Sequence, residues 1–129
     1  MSSRVGAIRE IFNSETIEDT ATVYSRSIRV GAANVLGIAY QASSSAGAPD
    51  IKIEIQQSYK KPTTEEADDD TYVVPEDMSD VETNLVTETW HVKSLSLVPM
   101  EYMRFKITGN AANESDTALT IQLFVQEEA

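Results

Sequence analysis

Two alternating runs near the C-terminus constrain the fold of this chain more than any other part of it. In residues 101–108 the apolar positions are Met103, Phe105 and Ile107, and in residues 118–126 they are Leu119, Ile121, Leu123 and Val125, with Phe124 alone breaking the polar side. Because side chains of a strand point alternately to opposite faces, each run predicts a strand with one apolar face. The loop between them is rich in Gly, Asn, Ser and Asp, which predicts an antiparallel strand pair.

Alternation also recurs upstream. Residues 50–59 form its clearest instance, with Ile51, Ile53 and Ile55 on one side. One further strand is predicted over 20–30, with a break near Arg26, and others at 34–42, 71–74 and 85–92, the last continued by residues 94–97. Gly37 suggests a bulge or a close backbone approach. No helical period persists for three turns. Roughly seven to nine short strands predict an all-β, single-domain antiparallel β-sandwich that is jelly-roll-like.

The first 13 residues are predicted to be an arm, with the β-sandwich domain at 14–129. The arm carries Val5, Ile8, Ile11 and Phe12 among charged residues. Their spacing suits either a short helical turn or an irregular strand, and has no obvious place in a sandwich. Arms of this kind order on contact with a neighbouring subunit, so these four residues are interface candidates. Deleting residues 1–13 is therefore expected to abolish assembly and leave the fold intact.

Charge and composition narrow the partners. The formal net charge of −11 argues against binding nucleic acid or an anionic membrane, both of which need clustered Lys and Arg. The chain has no cysteine, no apolar run of membrane-spanning length, and no signal-peptide core after Met1. We therefore expect a protein made in the cytoplasm.

One acidic run contains the candidate metal ligands, which are Glu65, Glu66, Asp68, Asp69 and Asp70. Hard cations such as Ca²⁺ bind clustered carboxylates, but the spacing does not match a helix-loop-helix calcium loop. A solvated acidic loop is the simpler interpretation. No cofactor is predicted.

Catalytic motifs are not apparent. No serine or threonine lies in a nucleophile-elbow context, and the five glycines are scattered rather than gathered in a phosphate-binding loop. Pairs of acids are common in so acidic a chain and do not by themselves indicate glycoside hydrolysis. We predict that the protein is not an enzyme.

Three further residues carry structural predictions. Trp90, the only tryptophan, is expected in the core, which directs its neighbour His91 towards solvent or a subunit interface. Arg104 is expected to form a cross-strand or interface ion pair. If the aromatic residues were instead exposed on one flat platform, a carbohydrate-binding module would be indicated. That platform would need Tyr40, Tyr59, Tyr72, Trp90 and Tyr102.

The C-terminal segment resembles small β-sandwich proteins encoded among the virion genes of tailed bacteriophages and prophages. The resemblance lies in a tyrosine-x-arginine-aromatic strand (102–105), a Gly-Asn-x-x-Asn loop (109–113) and a Thr-x-Leu-Thr return strand (117–120), with residues 49–58 and 89–93 fitting the same pattern. It covers roughly residues 34–126 and includes no catalytic motif.

This resemblance implies a virion structural protein, above all a head decoration (auxiliary capsid) protein, with a tail or fibre accessory module next. Such a protein is expected to be homo-oligomeric and to contact the major capsid protein or another virion protein. The alternatives that remain open are a carbohydrate-binding module and a calcium-stabilised adhesion module, since one fold hosts many functions.

Overall fold

The computed structural model describes residues 4–30, 35–45, 47–58, 71–76, 79–95 and 101–128. These residues form ten β-strands, and no helix occurs among them. The strands are β1 (Arg4–Ile17), β2 (Thr22–Tyr24), β3 (Ile28–Arg29), β4 (Val35–Ser43), β5 (Ile51–Ser58), β6 (Tyr72–Val73), β7 (Glu82–Leu85), β8 (His91–Leu95), β9 (Tyr102–Gly109) and β10 (Thr117–Glu128).

All the strand pairings are antiparallel, and they build two sheets. The four-stranded sheet has the order β1-β10-β4-β8, and the six-stranded sheet has the order β2-β9-β5-β6. In the six-stranded sheet β3 also pairs with β9 and β7 also pairs with β5. β2 and β3 therefore share one position beside β9, and β6 and β7 share one position beside β5. Each layer thus has four strand positions.

The chain passes between the layers in the order of a jelly roll. The first strand lies in the four-stranded sheet, β2 and β3 in the other, β4 in the first again, β5 to β7 in the second, and β8, β9 and β10 alternate. An eight-position double sheet of this order is the jelly-roll solution to covering two apolar sheet faces. The predicted all-β sandwich is confirmed.

The core lies between the two sheets and follows the alternation seen in the sequence. Ile51, Ile53 and Ile55 of β5 are buried, as predicted. From β9 and β10 the core receives Met103, Phe105, Ile107, Leu119, Ile121, Leu123 and Val125. Burial of apolar surface on this scale is the main stabilising contribution to a domain of this size.

The predicted pairing of the two C-terminal strands is wrong. β9 pairs with β5, β2 and β3, whereas β10 pairs with β1 and β4, so the two strands lie in different sheets. Asn113 of the connecting loop is buried and donates to the Ile17 carbonyl at 2.8 Å, while its side-chain oxygen accepts from the Asp50 amide at 2.9 Å. These bonds hold the loop where the chain crosses from one sheet to the other.

The predicted strand at 85–92 is also interrupted. β7 ends at Leu85 in the six-stranded sheet and β8 begins at His91 in the four-stranded sheet. Residues 86–90 make the crossing, and Trp90 is 51% exposed, so its prediction as a core residue is wrong. A crossing segment has no sheet face to bury, and its apolar side chains remain at the surface.

Residues 4–17 form a single strand at the edge of the four-stranded sheet, and β1 pairs with β10 from Arg4↔Glu128 to Ile17↔Thr117. The arm boundary predicted after residue 13 therefore falls inside β1. Ile11 and Phe12 are buried in the core. Irregularities in the register on both sides of Phe12 explain the broken apolar spacing of this segment.

Candidate interaction surface

The outer face of the four-stranded sheet is the surface with the most unusual composition. Directly opposed residues of an antiparallel pair share a face. One row across this face is Ile8, Phe124, Gly37 and Ser94, and the next is Glu10, Gln122, Ala39 and Val92. Among the side chains that the structure describes, the outward positions on the two central strands, β4 and β10, are Gly37, Ala39, Gln41, Ser43, Ala118, Thr120, Gln122 and Phe124. None of these eight is charged.

The six-stranded sheet differs on its outer face. There Lys52 and Glu54 occupy successive outward positions of β5, and Glu54 lies opposite Lys106 of β9. Lys52 Nζ is 3.7 Å from Glu54 and 3.8 Å from Asp80. A chain with 10 basic and 21 acidic residues thus keeps charge on one outer face and excludes it from the centre of the other. Depletion of charge is characteristic of the centre of protein–protein interfaces.

Phe124 and Gly37 lie side by side at the centre of this uncharged face. A Cβ at position 37 would be 3.9 Å from the Phe124 Cβ, an ordinary contact, and the register of β4 shows no shift at Gly37. The predicted bulge is therefore absent. Phe124, which broke the alternation in the sequence, lies directly opposite this glycine on the neighbouring strand.

Exposed apolar side chains lie at both edges of the same sheet. Ile8 of β1 is 66% exposed and Val92 of β8 is 77% exposed, and Trp90 comes just before β8. These residues extend the uncharged face to its rim. The sequence carried one signal for this surface, which is the Phe124 break. It carried none for Val92, because residues 85–92 were predicted to be a single strand with Trp90 in the core.

The predicted interface residues do not form one group. Ile8 lies on the outer face, whereas Ile11 and Phe12 belong to the core and are not available to a partner unless the fold opens. The side chain of Val5 lies outside the described residues. His91 is at the β8 edge, where its ring stacks on Tyr40 with centroids 5.3 Å apart, and Thr87 Oγ1 lies 2.9 Å from its Nε2.

Arg104 is almost fully buried in the single chain. Its guanidinium carbon lies 4.1 Å from the ring centre of Tyr24 and 4.4 Å from that of Tyr72, and its Nε donates to Gln56 Oε1 at 2.8 Å. The two rings supply cation–π attraction from separate strands. Arg104 therefore links β2, β9, β5 and β6 of the six-stranded sheet. Its predicted cross-strand or interface ion pair stays a prediction.

The platform that the carbohydrate-binding alternative requires is not assembled by the described aromatic residues. Tyr40 and Tyr72 are buried, and Tyr102 is half-buried, which leaves Trp90 as the exposed member. Tyr59 lies outside the described residues. A flat sugar-stacking surface needs several open rings, so this arrangement does not supply one.

The acidic candidates Glu65, Glu66 and Asp68 to Asp70 also lie outside the described residues. Within the part of the chain that is described, no group of three or more His, Cys, Asp or Glu side chains could hold a metal ion.

Asp116 is an exposed carboxylate that accepts hydrogen bonds from the Ser45 and Ser44 hydroxyls, which lower its pKa. Nor does any helix among the described residues have the length and apolarity to cross a membrane.

Tyr40 couples β4 to the opposite sheet. Its hydroxyl donates to Glu82 Oε1 at 3.0 Å, and Lys93 Nζ lies 3.4 Å from the same oxygen. Burial raises the pKa of Tyr40 far above its usual range, and the Glu82 hydrogen bond and negative charge act in the same direction. The folded protein therefore binds the phenolic proton more tightly than the unfolded chain does.

A loss of stability at alkaline pH follows from this proton. Because the folded pKa of Tyr40 is raised, its contribution is complete below the ordinary value of 10.0 and is lost as pH rises above it. We expect the free energy of unfolding of the wild type to fall more steeply above about pH 10 than that of Tyr40→Phe, measured by urea denaturation across the alkaline range. Parallel curves for the two proteins would contradict the assignment.

Comparison with solved structures agrees with this architecture. The crystal structure of the SPBc2 prophage-derived protein YomS matches with a TM-score of 0.59 at 8% identity, covering 98% of this chain and 97% of that one. The chain therefore shares its fold with a prophage-derived protein. No protein-family model and no curated protein sequence matches it.

Two plant virus structures are also similar. That of Desmodium yellow mottle tymovirus has a TM-score of 0.42 at 8% identity over 100% of this chain and 90% of the other, and that of tobacco necrosis virus has 0.43 at 12% identity over 100% and 97%. These scores are below the level at which two chains share a fold, and nothing further follows from them.

Proposed function

We propose that the chain is a non-enzymatic structural protein of a phage virion, specifically a head decoration (auxiliary capsid) protein. It acts by burying surface against the major capsid protein or another virion protein and against copies of itself. The observation that carries this proposal is the uncharged outer face of the four-stranded sheet, in a protein whose net charge is −11.

The charge distribution supports binding through this face. Two acidic molecules repel one another, and a charged group that is buried without a partner destabilises the complex that buries it. The eight described outward side chains of β4 and β10 avoid this cost because they are small, amide, hydroxyl or aromatic. The six-stranded sheet, with Lys52, Glu54 and Lys106 on its outer face, then stays in contact with water.

Two similarities support the virion as the location. The C-terminal strand-and-loop pattern resembles phage virion proteins, and the fold is shared with a prophage-derived protein. A virion protein of this kind is made in the host cytoplasm and assembled there. A tail or fibre position is the alternative location, and it uses the same surface. Carbohydrate binding is not favoured, because Trp90 alone is exposed among the platform residues that the structure describes, and one ring does not form a stacking platform.

Particle composition tests the proposal. Phage particles would be purified from cells that carry the wild-type gene, Gln122→Glu or Thr108→Glu, and the protein would be quantified in them by mass spectrometry. Gln122 lies at the centre of the uncharged face, whereas Thr108 is an outward residue of β9 opposite Lys52. Burying one unpaired carboxylate is expected to lower incorporation of Gln122→Glu by about tenfold or more.

Thr108→Glu is the matched control, since it adds the same charge to the opposite sheet and should be incorporated like the wild type. Thermal melting of both purified variants checks that neither substitution acts through the fold. Absence of the wild-type protein from purified particles would overturn the virion role. Equal incorporation of both variants would show that the four-stranded sheet does not face the particle.

A further inference from the structure

The two edges of the four-stranded sheet differ in how they are protected. Exposed strand edges pair readily with other strands unless charges, bulges or covering segments prevent it. β1 has register shifts on both sides of Phe12, and Ser14 adopts a left-handed φ of 52°. It also carries the charged residues Arg4, Arg9, Glu10 and Glu15. This edge is well protected against pairing.

The β8 edge lacks those features. β8 pairs with β4 in regular register from Leu36↔Leu95 to Tyr40↔His91, and within the described ranges no strand pairs with its other side. Residues 89–95 contain no proline and no acid. The one lysine, Lys93, is turned towards the six-stranded sheet, where its Nζ donates to the Val81 carbonyl at 2.6 Å.

The nearest acidic residue is also held away from this edge. Glu88 precedes β8, and its carboxylate accepts a hydrogen bond from the Ser44 amide at 2.7 Å. Its carbonyl accepts from the Gln41 side chain at 3.0 Å. Both bonds fix Glu88 against the end of β4. The β8 edge is therefore a local acid-free segment in a strongly acidic chain.

We propose that β8 pairs antiparallel with β8 of a second copy of this chain, which joins two four-stranded sheets into one continuous sheet across a two-fold axis. The proposal rests on the proposed function for its biological purpose, as the self-contact of an assembling virion protein. Hydrogen bonds between the two edges give the pairing its geometry, as in other strand-addition complexes.

Alternation limits the register of such a pair. Core-facing residues of one copy must oppose core-facing residues of the other, so that both uncharged faces lie on the same side of the joined sheet. Two central registers satisfy this condition. One centres the axis on Lys93 and places Val92 opposite Ser94, so that no apolar side chain covers Val92. The other places Val92 opposite Val92 and Trp90 opposite Ser94, and we adopt it.

The exposed apolar side chains fit this second register. Val92 is 77% exposed in the single chain and would be covered by its own copy, and Trp90 would lie over a serine rather than over a charge. The partner is a second copy rather than a basic protein, because the edge offers no acids to a basic partner. It does offer a self-complementary apolar pair on the two-fold axis.

Disulfide trapping tests the pairing directly, because the natural chain has no cysteine. Directly opposed residues in an antiparallel pair have Cβ atoms about 4.5–5.5 Å apart, close enough for a disulfide after small adjustment. Single variants Val92→Cys, Lys93→Cys and Val74→Cys would be oxidised under mild conditions, and the dimer fraction read on a non-reducing gel. Val74 is an exposed valine that directly follows β6, away from the β8 edge in the chain, and serves as control.

Val92→Cys is expected to give mostly disulfide-linked dimer, and Lys93→Cys and Val74→Cys mostly monomer. Stronger trapping of Lys93→Cys than of Val92→Cys would overturn the proposed register, and equal or absent trapping of all three would overturn the pairing itself. Light scattering gives an independent measurement. The wild type should be a dimer with twice the mass of one chain. Val92→Lys should be a monomer, because the substitution places two lysines opposite each other on the two-fold axis.

The two proposals fail separately. If Val92→Cys is trapped but the wild type is missing from particles, the pairing stands and the virion role falls. If the wild type is a monomer in solution and none of the cysteine variants is trapped, while the protein is present in particles, the pairing falls and the virion role stands.

Discussion

Replacing Gly109 with alanine is expected to lower the free energy of unfolding by about 3 kcal/mol or more. Gly109 is the last residue of β9, and its backbone lies against the turn that follows β1. A Cβ added there would overlap the carbonyl oxygen of Glu18 and come within 3.2 Å of the Asn113 side-chain nitrogen. The obstructing atom is backbone, which cannot move aside by a change of rotamer.

The position has no alternative arrangement that keeps its hydrogen bonds. The Gly109 amide donates to the Ala21 carbonyl at 2.9 Å, and Asn113 bridges to Ile17 from the same loop. Moving the 18–21 turn away to admit a methyl group would break the first bond and strain the second. Buried donors and acceptors that lose their partners are each costly, by about 1–3 kcal/mol.

Gly37→Ala is the matched control for Gly109→Ala. Its added Cβ would lie 3.6 Å from the Lys93 carbonyl and 3.9 Å from Phe124, which are ordinary contact distances. Alanine is also preferred to glycine in a strand interior by about 0.5–1 kcal/mol. Urea denaturation should therefore give Gly37→Ala a midpoint near or above that of the wild type. A midpoint for Gly109→Ala equal to the wild type would contradict the close approach at the Glu18 carbonyl.

How much of this architecture the sequence could predict is clear from β5 and β10. Alternation, strict in β5 and broken only at Phe124 in β10, identified both strands and correctly assigned Ile51, Ile53, Ile55 and the β10 leucines to the core. Alternation reports which face of a strand is buried, and that face is the same whether the neighbouring run lies beside it or in the opposite sheet. It therefore gave the fold class but not the pairing.

The missed pairing of β9 and β10 has a specific cause. A loop of Gly, Asn, Ser and Asp residues suits a hairpin and a sheet-to-sheet crossing equally well by composition. The crossing is determined by Asn113 and Asn110, whose side chains bond to Ile17 and Asp50. Partners so distant in the chain cannot be identified from local composition.

The candidate surface was less predictable than the fold for the same reason. Whether the polar face of one strand forms a charged or an uncharged surface depends on which strands lie beside it. β4 and β10 are neighbours only in the folded chain. Likewise Arg104 is buried by Tyr24 and Tyr72, which come from strands remote in sequence. The pattern of a single strand indicates which of its faces is buried. The order of strands in the sheet determines which outward residues lie together on one surface.

Deleting residues 2–13 is expected to unfold the protein rather than to leave a stable domain that fails to assemble. The deletion removes most of β1 and with it Ile11 and Phe12, which are 8% and 7% exposed. Truncating one buried isoleucine costs about 2–5 kcal/mol and one buried phenylalanine about 3–5 kcal/mol. Their sum is comparable to the total stability of a typical domain, about 5–15 kcal/mol.

The deletion has a second consequence at β10. With residues 2–13 absent, β10 becomes an edge strand between Ile121 and Glu128, and the backbone groups there are open to other chains. We therefore expect aggregation to accompany the loss of structure. An arm that orders only on a neighbouring subunit predicts the opposite result, a monomer that unfolds cooperatively at the wild-type temperature.

Point variants separate these two accounts of the segment. Phe12→Ala should lower the free energy of unfolding by about 3–5 kcal/mol, because it empties a core position. Ile8→Ala, on an exposed side chain of the same strand, should change it by no more than about 0.5 kcal/mol. Circular dichroism and thermal melting of the three proteins provide the measurement. A folded deletion variant, or Phe12→Ala as stable as Ile8→Ala, would show that β1 is dispensable to the sandwich and would restore the arm. The expected order, with Ile8→Ala most stable and the deletion least, makes β1 an integral strand whose outward residues alone remain for partners.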